Sequence, residues 1–309
     1  MPSMNPTFVS LTTSTSGERK TDSVKLDRNI DLPPNSQVGA NYNSTVRIGY
    51  KNTPRATGIC ISTDGLIVTA RHLIIGMRGK ENDAFDINQF YAEFPRPKNA
   101  TPALPLQLVS ELPRFQNPND DIVIFQAPAN QDPYPSSPFT TSLPQKHSNA
   151  YTISYPYGVS ELTLGEVLDP SFQEAYNVAE ETYGREKSNT NIFSRFIKEM
   201  VLTIGKANIG GIVSTNSINA GSSRGPLFNG NGEVCGITTS TIDNFIINMR
   251  KHFVKTFGIQ PKHLPLNQIA VSQPIKRVTS LLEKLGANVQ KILDGEPSGL
   301  NKKLKKWET

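Results

Sequence analysis

Three side chains in this sequence have the types that nucleophilic catalysis requires. His72 follows the apolar run LIVTA (66–70), Asp121 heads the run DIVIFQ (121–126), and Ser223 lies in the turn GSSRGP (221–226). An unactivated serine hydroxyl is a poor nucleophile, so it needs a base to take its proton and a carboxylate to orient that base. Because each residue stands beside a predicted strand, a β framework could bring the three together as a triad.

The turn around Ser223 suits a nucleophile in all positions but one. Gly221 and Gly225 are small enough to allow a tight turn from which Oγ projects while backbone N–H groups converge on one point. Arg224 is the exception, since a glycine would adopt such a turn more easily. If position 224 needs a positive φ, the arginine costs on the order of 1–2 kcal/mol there.

Two alternatives remain open within this set. Asp120 could replace Asp121 as the carboxylate, although Asp121 is preferred because it directly precedes the apolar run. Cys235 is another possible nucleophile, but it lies beyond the glycine-rich turn, in a predicted strand. Cys60 and Cys235 are expected to be buried, reduced thiols, and the sequence leaves a disulfide between them open. Two Cys and four scattered His make no zinc pattern, so no metal and no cofactor are predicted.

Short apolar runs rich in Ile and Val, separated by turn residues, predict an all-β fold that positions these groups. The predicted strands cover 45–50, 58–62, 66–70, 106–110, 121–126, 150–156, 161–167, 210–215, 225–229 and 233–240.

Other segments depart from this β pattern. Residues 1–45 are rich in Ser, Thr, Asn and Pro and are predicted to be a disordered extension. Residues 171–203 have a helix-forming composition, and 274–286 predict a helix with Pro274 in its first turn and Gly286 just past its end. Residues 287–309 are predicted to be a basic tail.

These residues resemble the HtrA-type branch of the trypsin-like serine proteases. The similar segments are 56–74, 119–126, 151–158, 214–240 and 269–286, and the one around Ser223 is the most specific. The resemblance implies two six-stranded antiparallel β-barrels of the chymotrypsin type, the first with its linker over 46–150 and the second over 151–286. The helical segment 171–203 is then an insertion in the second half, and 274–286 is the C-terminal helix. No PDZ-like domain is expected.

The same resemblance implies a serine endopeptidase that works through an acyl-enzyme. His72 is the general base, Asp121 orients it, Ser223 attacks the scissile carbonyl, and the backbone N–H groups of Ser223 and Arg224 form the oxyanion hole. Residues implied in substrate binding are Ser217, Ile218, Asn219, Ile237, Thr238 and Thr239. No acidic residue lies among them, so a small or medium apolar residue is expected before the cut. The alternative is a catalytically silent pseudoprotease that binds proteins, because Arg224 replaces the family's glycine.

Composition limits the partners. The net charge is +5, and Lys302, Lys303, Lys305 and Lys306 supply much of the excess. A basic tail can bind phosphate-rich surfaces, but no nucleic-acid motif is present and no nucleic-acid partner is expected. No apolar run approaches the ~18 residues of a membrane span, and no signal peptide is apparent. The expected partner is a protein or peptide substrate. The expected location is the cytoplasm, with leaderless secretion as a bacterial effector as the alternative. No oligomeric state is predicted.

Overall fold

The computed structural model describes residues 23–25, 36–81, 85–95, 103–109, 121–173, 210–216, 225–241 and 270–300. In chain order the elements are β1 (Ser23–Lys25), α1 (Gln37–Ser44), β2 (Thr45–Tyr50), β3 (Thr53–Cys60), β4 (Leu66–Thr69), α2 (His72–Glu81), β5 (Phe90–Glu93), β6 (Leu104–Pro105), β7 (Gln107–Leu108), β8 (Val123–Gln126), β9 (Asn149–Ser154), β10 (Glu161–Asp169), β11 (Ile212–Ser214), β12 (Pro226–Asn229), β13 (Val234–Thr241), β14 (Ala270–Pro274), α3 (Ile275–Lys284) and α4 (Val289–Leu293).

The first sheet is a nearly closed antiparallel barrel. Its strand order is β6-β5-β2-β3-β4-β8-β7. β6 and β7 are two parts of one bent segment, because Leu104 and Pro105 pair with β5 while Gln107 and Leu108 pair with β8. This segment therefore joins the two edges of the sheet and makes a barrel of six strands.

The second sheet is a closed six-stranded barrel. Its order is β10-β11-β14-β13-β12-β9, and β9 pairs back with β10 along Glu161–Glu166. β1 adds a short strand to the edge of β10 beyond the end of β11. The predicted fold class, two antiparallel six-stranded barrels, is confirmed.

Because successive side chains of a strand point to opposite faces, β3 and β4 contribute side chains to two different cores. In β3 and β4, Cys60 and Ile67 face the interior of the first barrel, while Ile59 and Val68 face the second barrel. The partners on the second barrel include Phe228, which is fully buried. Because both faces of these strands are covered, they read in the sequence as continuous apolar runs.

The C-terminal helix is confirmed as α3. Its apolar stripe includes Val278 and Leu282, both fully buried in the core between the barrels. The helix stops where expected, since Gly286 lies just past its end with φ 79°. Among the described residues, no helix is both long and apolar enough to cross a lipid bilayer.

The prediction of disorder for residues 1–45 is wrong for its last part. Residues 37–44 form α1, which begins at an N-cap in which the Ser36 side chain accepts the N–H of Gly39. The amide of Asn41, fully buried, donates to the hydroxyl of Tyr151 and to the carbonyl of Gly232, each at 2.7 Å. Contacts with the second barrel, rather than local helix propensity, hold α1 in place.

The prediction of a solvated tail over 287–309 is also wrong for its first part. Residues 287–300 fold back on the first barrel through α4 and through Leu300, which is fully buried. The hydroxyl of Ser298 and the N–H of Gly299 both donate to the carboxylate of Asp64. Residues 301–309 and most of the predicted helical insertion 171–203, from residue 174 on, lie outside the described residues.

Candidate active site

Strand pairing brings His72 and Asp121 together. β4 pairs with β8 through Thr69 opposite Val123. Extending this antiparallel register by two residues places Arg71 opposite Asp121, and the N–H of Arg71 indeed donates to the carbonyl of Asp121 at 3.3 Å. His72 is then the first residue of α2, beside the carboxylate.

The Asp121 carboxylate contacts His72 at two points. Its Oδ1 accepts the backbone N–H of His72 at 2.7 Å, and its Oδ2 lies 2.6 Å from the ring Nδ1. A carboxylate can only accept here, so Nδ1 carries the proton and the lone pair of the neutral ring is on Nε2. Both side chains are about one-third exposed, 34% for His72 and 30% for Asp121. The His72 ring is therefore partly exposed and oriented by a carboxylate, an arrangement suited to a general base.

The chain on either side of the predicted nucleophile lies at the second barrel. The described residues stop at Asn216, directly after β11, and resume at Gly225, directly before β12. Ser223 and Arg224 lie outside the described residues, as do Ser217, Ile218 and Asn219. Asp120, the alternative carboxylate, also lies outside them.

Gly225 occupies a crowded place between the two barrels. A Cβ at this position would lie 3.1 Å from the carbonyl oxygen of Ile153 and 3.2 Å from Cγ2 of Thr57. Its φ is outside the left-handed range, so space rather than backbone conformation makes glycine suitable here. Its carbonyl accepts the N–H of Thr238 at 2.9 Å. The residue two positions after Ser223 is thereby fixed against β3, β9 and β13.

The three predicted binding residues of β13 are all buried. Ile237 pairs with Pro226 of β12 on one side and with Gln273 of β14 on the other. Thr238 is hydrogen-bonded to Gly225 through its N–H and faces Ser272 through its hydroxyl at 3.1 Å. The hydroxyl of Thr239 donates to Val271. β12 begins at Pro226, the partner of Ile237. Beyond Thr238, the described part of β12 therefore does not pair with β13.

Comparison with known proteins identifies the family. Residues 56–237 match the model of the trypsin-like peptidase domain. The chain belongs to this family. No curated protein matches the chain. The chain is similar to the crystal structure of the Rv3671c protease in its inactive form, at 18% identity over 85% of this chain and 100% of that one, with a TM-score of 0.49. It is also similar to a serine-to-alanine mutant of Rv3671c from M. tuberculosis H37Rv, again in its inactive form. That match has 17% identity over 85% of this chain and 95% of the other, with a TM-score of 0.48.

Membership in a peptidase family supports a protease as the general activity, with a protein or peptide as the substrate. The matched residues run from β3 to β13 and therefore include both His72 and Asp121, together with the segment that contains Ser223. The two cysteines of this peptidase domain are free and buried. Burial raises the pKa of Cys60 to about 12 and the pKa of Cys235 to about 12, which keeps both thiols protonated. Because the thiolate is the reactive form, the burial of Cys235 argues against it as the nucleophile.

The other three histidines are not part of the predicted triad. His147, in the linker before β9, pairs through Nδ1 with Glu166 of β10. His252 and His263 lie outside the described residues. In the part of the chain that the structure describes, no group of His, Cys, Asp and Glu could hold a metal ion.

Sequence reasoning missed two features around the catalytic pair. One is the helix α2, whose first N–H holds Asp121; its two glycines, Gly76 and Gly79, weaken the helical pattern of HLIIGMRGKE. The other is the pair Thr57 and Thr69: the Thr69 hydroxyl donates to the Thr57 carbonyl within the first barrel, and the Thr57 hydroxyl accepts the N–H of Tyr155 from the second barrel. Only the spacing of Thr69, three residues before His72, could have drawn attention to it.

Proposed function

We propose that this peptidase domain is a serine endopeptidase in which His72, Asp121 and Ser223 form the triad. The observation that carries the proposal is the 2.6 Å contact between Nδ1 of His72 and Oδ2 of Asp121 within a trypsin-like peptidase domain. This contact selects the tautomer with its lone pair on Nε2, which is the form that can accept a hydroxyl proton. Gly225, fixed between the barrels, anchors the chain two residues after Ser223.

The reaction proceeds in two halves. Ser223 Oγ attacks the carbonyl carbon of the scissile bond while Nε2 of His72 takes its proton, and the tetrahedral intermediate collapses when the imidazolium gives that proton to the leaving amine. Water then attacks the acyl-enzyme ester, His72 takes a proton from the water, and the proton returns to Ser223 as the acid product leaves. Asp121 stabilises the imidazolium in each half and stays ionised.

The oxyanion of each intermediate requires converging N–H donors. The proposed donors are the backbone N–H groups of Ser223 and Arg224. In the general Ser-His-Asp template the second donor belongs to the residue two positions before the nucleophile, so Gly221 is the alternative to Arg224 as the second donor. Loss of one donor costs roughly 10²–10³ in rate. Arg224→Gly tests the effect of the arginine on the turn, since a large gain in rate would show that the side chain holds the turn away from its active form.

The substrate is proposed to bind as an extended strand along β13. The side chain of the substrate residue before the scissile bond would occupy a pocket formed by Ser217, Ile218 and Asn219. Ile237 and Thr238 are already paired within the sheet, so the substrate's main chain would begin its pairing at Thr239. The pocket residues carry no acidic group, which favours a small or medium apolar residue before the cut. Cleavage of a peptide library tests this, and a preference for Lys or Arg would contradict it.

A fluorophosphonate probe tests the proposed chemistry directly, because it reacts with an activated serine. The wild-type protein should be labelled at Ser223, and Ser223→Ala should abolish labelling. Ser222→Ala is the matched control, since it removes the neighbouring hydroxyl from the same turn and should leave labelling intact. A folded wild-type protein that is not labelled would instead favour the alternative, a silent barrel that binds a partner protein.

A further inference from the structure

One buried threonine touches both sides of the proposed active site. Thr57, in β3 of the first barrel, is fully buried. Its hydroxyl, its carbonyl and its methyl group each meet a different part of the molecule, and two of these three contacts cross to the second barrel.

The carbonyl of Thr57 holds the chain that leads to His72. The ladder between β3 and β4 has its last pair at Ile59 and Val68. Beyond it the hydroxyl of Thr69 donates to the carbonyl of Thr57 at 2.8 Å, which ties the end of β4 to β3 by a side chain. Because only two residues separate Thr69 from His72, this bond restrains the chain that leads into α2.

The side chain of Thr57 holds the chain on the nucleophile side. Its Oγ1 accepts the backbone N–H of Tyr155 at 2.8 Å, directly after β9. Its Cγ2 is the nearest side-chain atom to a Cβ placed on Gly225, at 3.2 Å, and Gly225 follows Ser223 by two residues. The hydroxyl therefore fixes the second barrel against β3, and the methyl group limits how closely the chain after Ser223 can approach.

We propose that Thr57 is a positioning residue of the proposed endopeptidase, which fixes the chain that leads to His72 relative to Gly225, two residues after Ser223. Thr57 acts through Thr69 on one side and through Tyr155 and Gly225 on the other. The inference rests on the proposed function. Displacement of a reacting group by about 1 Å can cost on the order of 10²-fold in rate, so a change at Thr57 should lower kcat while leaving substrate affinity nearly unchanged.

The test compares Thr57→Val with Thr57→Ser in a peptide-cleavage assay on the full chain. Valine keeps the shape and the methyl group but removes the acceptor for the Tyr155 N–H, so kcat should fall about ten- to hundredfold with little change in KM. Serine keeps the hydroxyl and should restore most of kcat. Thr279→Val is the matched control, because the Thr279 hydroxyl is also largely buried and bonded, to Lys276 of α3, far along the chain from the site.

Each outcome decides the inference. A selective fall in kcat in Thr57→Val, restored by Thr57→Ser and absent from Thr279→Val, supports it. Equal kcat per folded molecule in Thr57→Val and wild type, in a wild-type protein that the fluorophosphonate labels at Ser223, overturns the inference alone. A folded wild-type protein that is not labelled overturns the proposed function and this inference with it. If Thr57→Val does not fold, Thr69→Val cuts the bond on the other side, and a wild-type kcat in that variant overturns the inference.

Discussion

The Asp121 carboxylate holds His72 by its backbone as well as by its ring, with Oδ1 on the main-chain N–H at 2.7 Å and Oδ2 on Nδ1 at 2.6 Å. The main-chain bond fixes where α2 begins, and the ring bond fixes how the imidazole is turned. One side chain thus bonds to both the main chain and the ring of the proposed base.

Asp121→Asn should therefore lower kcat far more than it lowers stability. An amide can still accept the N–H of His72, but its NH₂ group favours the wrong imidazole tautomer, and in such triads the loss in kcat is on the order of 10⁴. Steady-state cleavage and thermal melting measure the two effects. Asp64→Asn is the matched control, since the Asp64 carboxylate also accepts several bonds, from Ser62 and from Ser298 and Gly299, but it holds the C-terminal segment. It should lower the melting temperature and keep kcat. A fully active Asp121→Asn would indicate that Asp120 is the orienting group.

Gly225→Ala should impair catalysis because there is too little space for a methyl group. The added Cβ would lie 3.1 Å from the carbonyl oxygen of Ile153 and 3.2 Å from Thr57, so the chain beside Ser223 has to shift by a few tenths of an ångström. We expect kcat to fall about tenfold or more and the free energy of unfolding to fall by on the order of 1 kcal/mol. Gly230→Ala, at the other end of β12, meets its nearest atom at 3.7 Å and should be nearly silent in both measurements. Equal kcat values for the two variants would show that the turn adapts.

The sequence predicted most of the barrel strands because their signal is local, although it missed β5 of the first barrel. The apolar run of β2 matched Thr45–Tyr50 at both ends, and the helix α3 was recognised from its stripe and from its Pro and Gly boundaries. Both elements bury a continuous apolar face, so composition and periodicity carry the information. The pairing of His72 with Asp121 was predicted from their order in the chain and from their positions at the ends of apolar runs, both of which are visible in the sequence.

The elements that sequence analysis missed depend on distant contacts. α1 contains Gly39 and three weak helix formers or cap residues at Asn41, Asn43 and Ser44, and it is stable because Asn41 bonds to a turn of the second barrel. Leu300 looked like part of a polar tail, yet it is fully buried on the first barrel. Neither contact leaves a pattern in neighbouring residues, so only the folded chain reveals them.

Asn41→Ala should destabilise the molecule through these contacts. The Asn41 amide donates to Tyr151 and to Gly232, and its oxygen accepts the hydroxyl of Ser137 at 2.8 Å. Alanine removes these bonds and leaves buried polar groups with fewer partners, which costs about 1–3 kcal/mol. Urea denaturation measures the loss. Asn130→Ala, at an exposed asparagine whose oxygen caps only its neighbour Gln131, should change stability by much less. A similar loss for both variants would contradict the role of α1 as a docked element.

Alkaline pH should destabilise the fold through its two buried thiols. Burial raises the pKa of Cys60 and of Cys235 from 9.0 to about 12, so between these values the unfolded chain loses two protons that the folded chain keeps. The stabilising contribution is complete below pH 9 and is lost as the pH rises toward 12, at about 1.4 kcal/mol per pH unit for each thiol. Urea denaturation from pH 8 to pH 11 measures this slope. Replacing both residues by alanine should make the decline of stability with pH shallower. The decline that remains should include a contribution from Tyr151, because burial also raises the pKa of Tyr151 to about 12. An unchanged slope in the double variant would show that the thiols are not responsible.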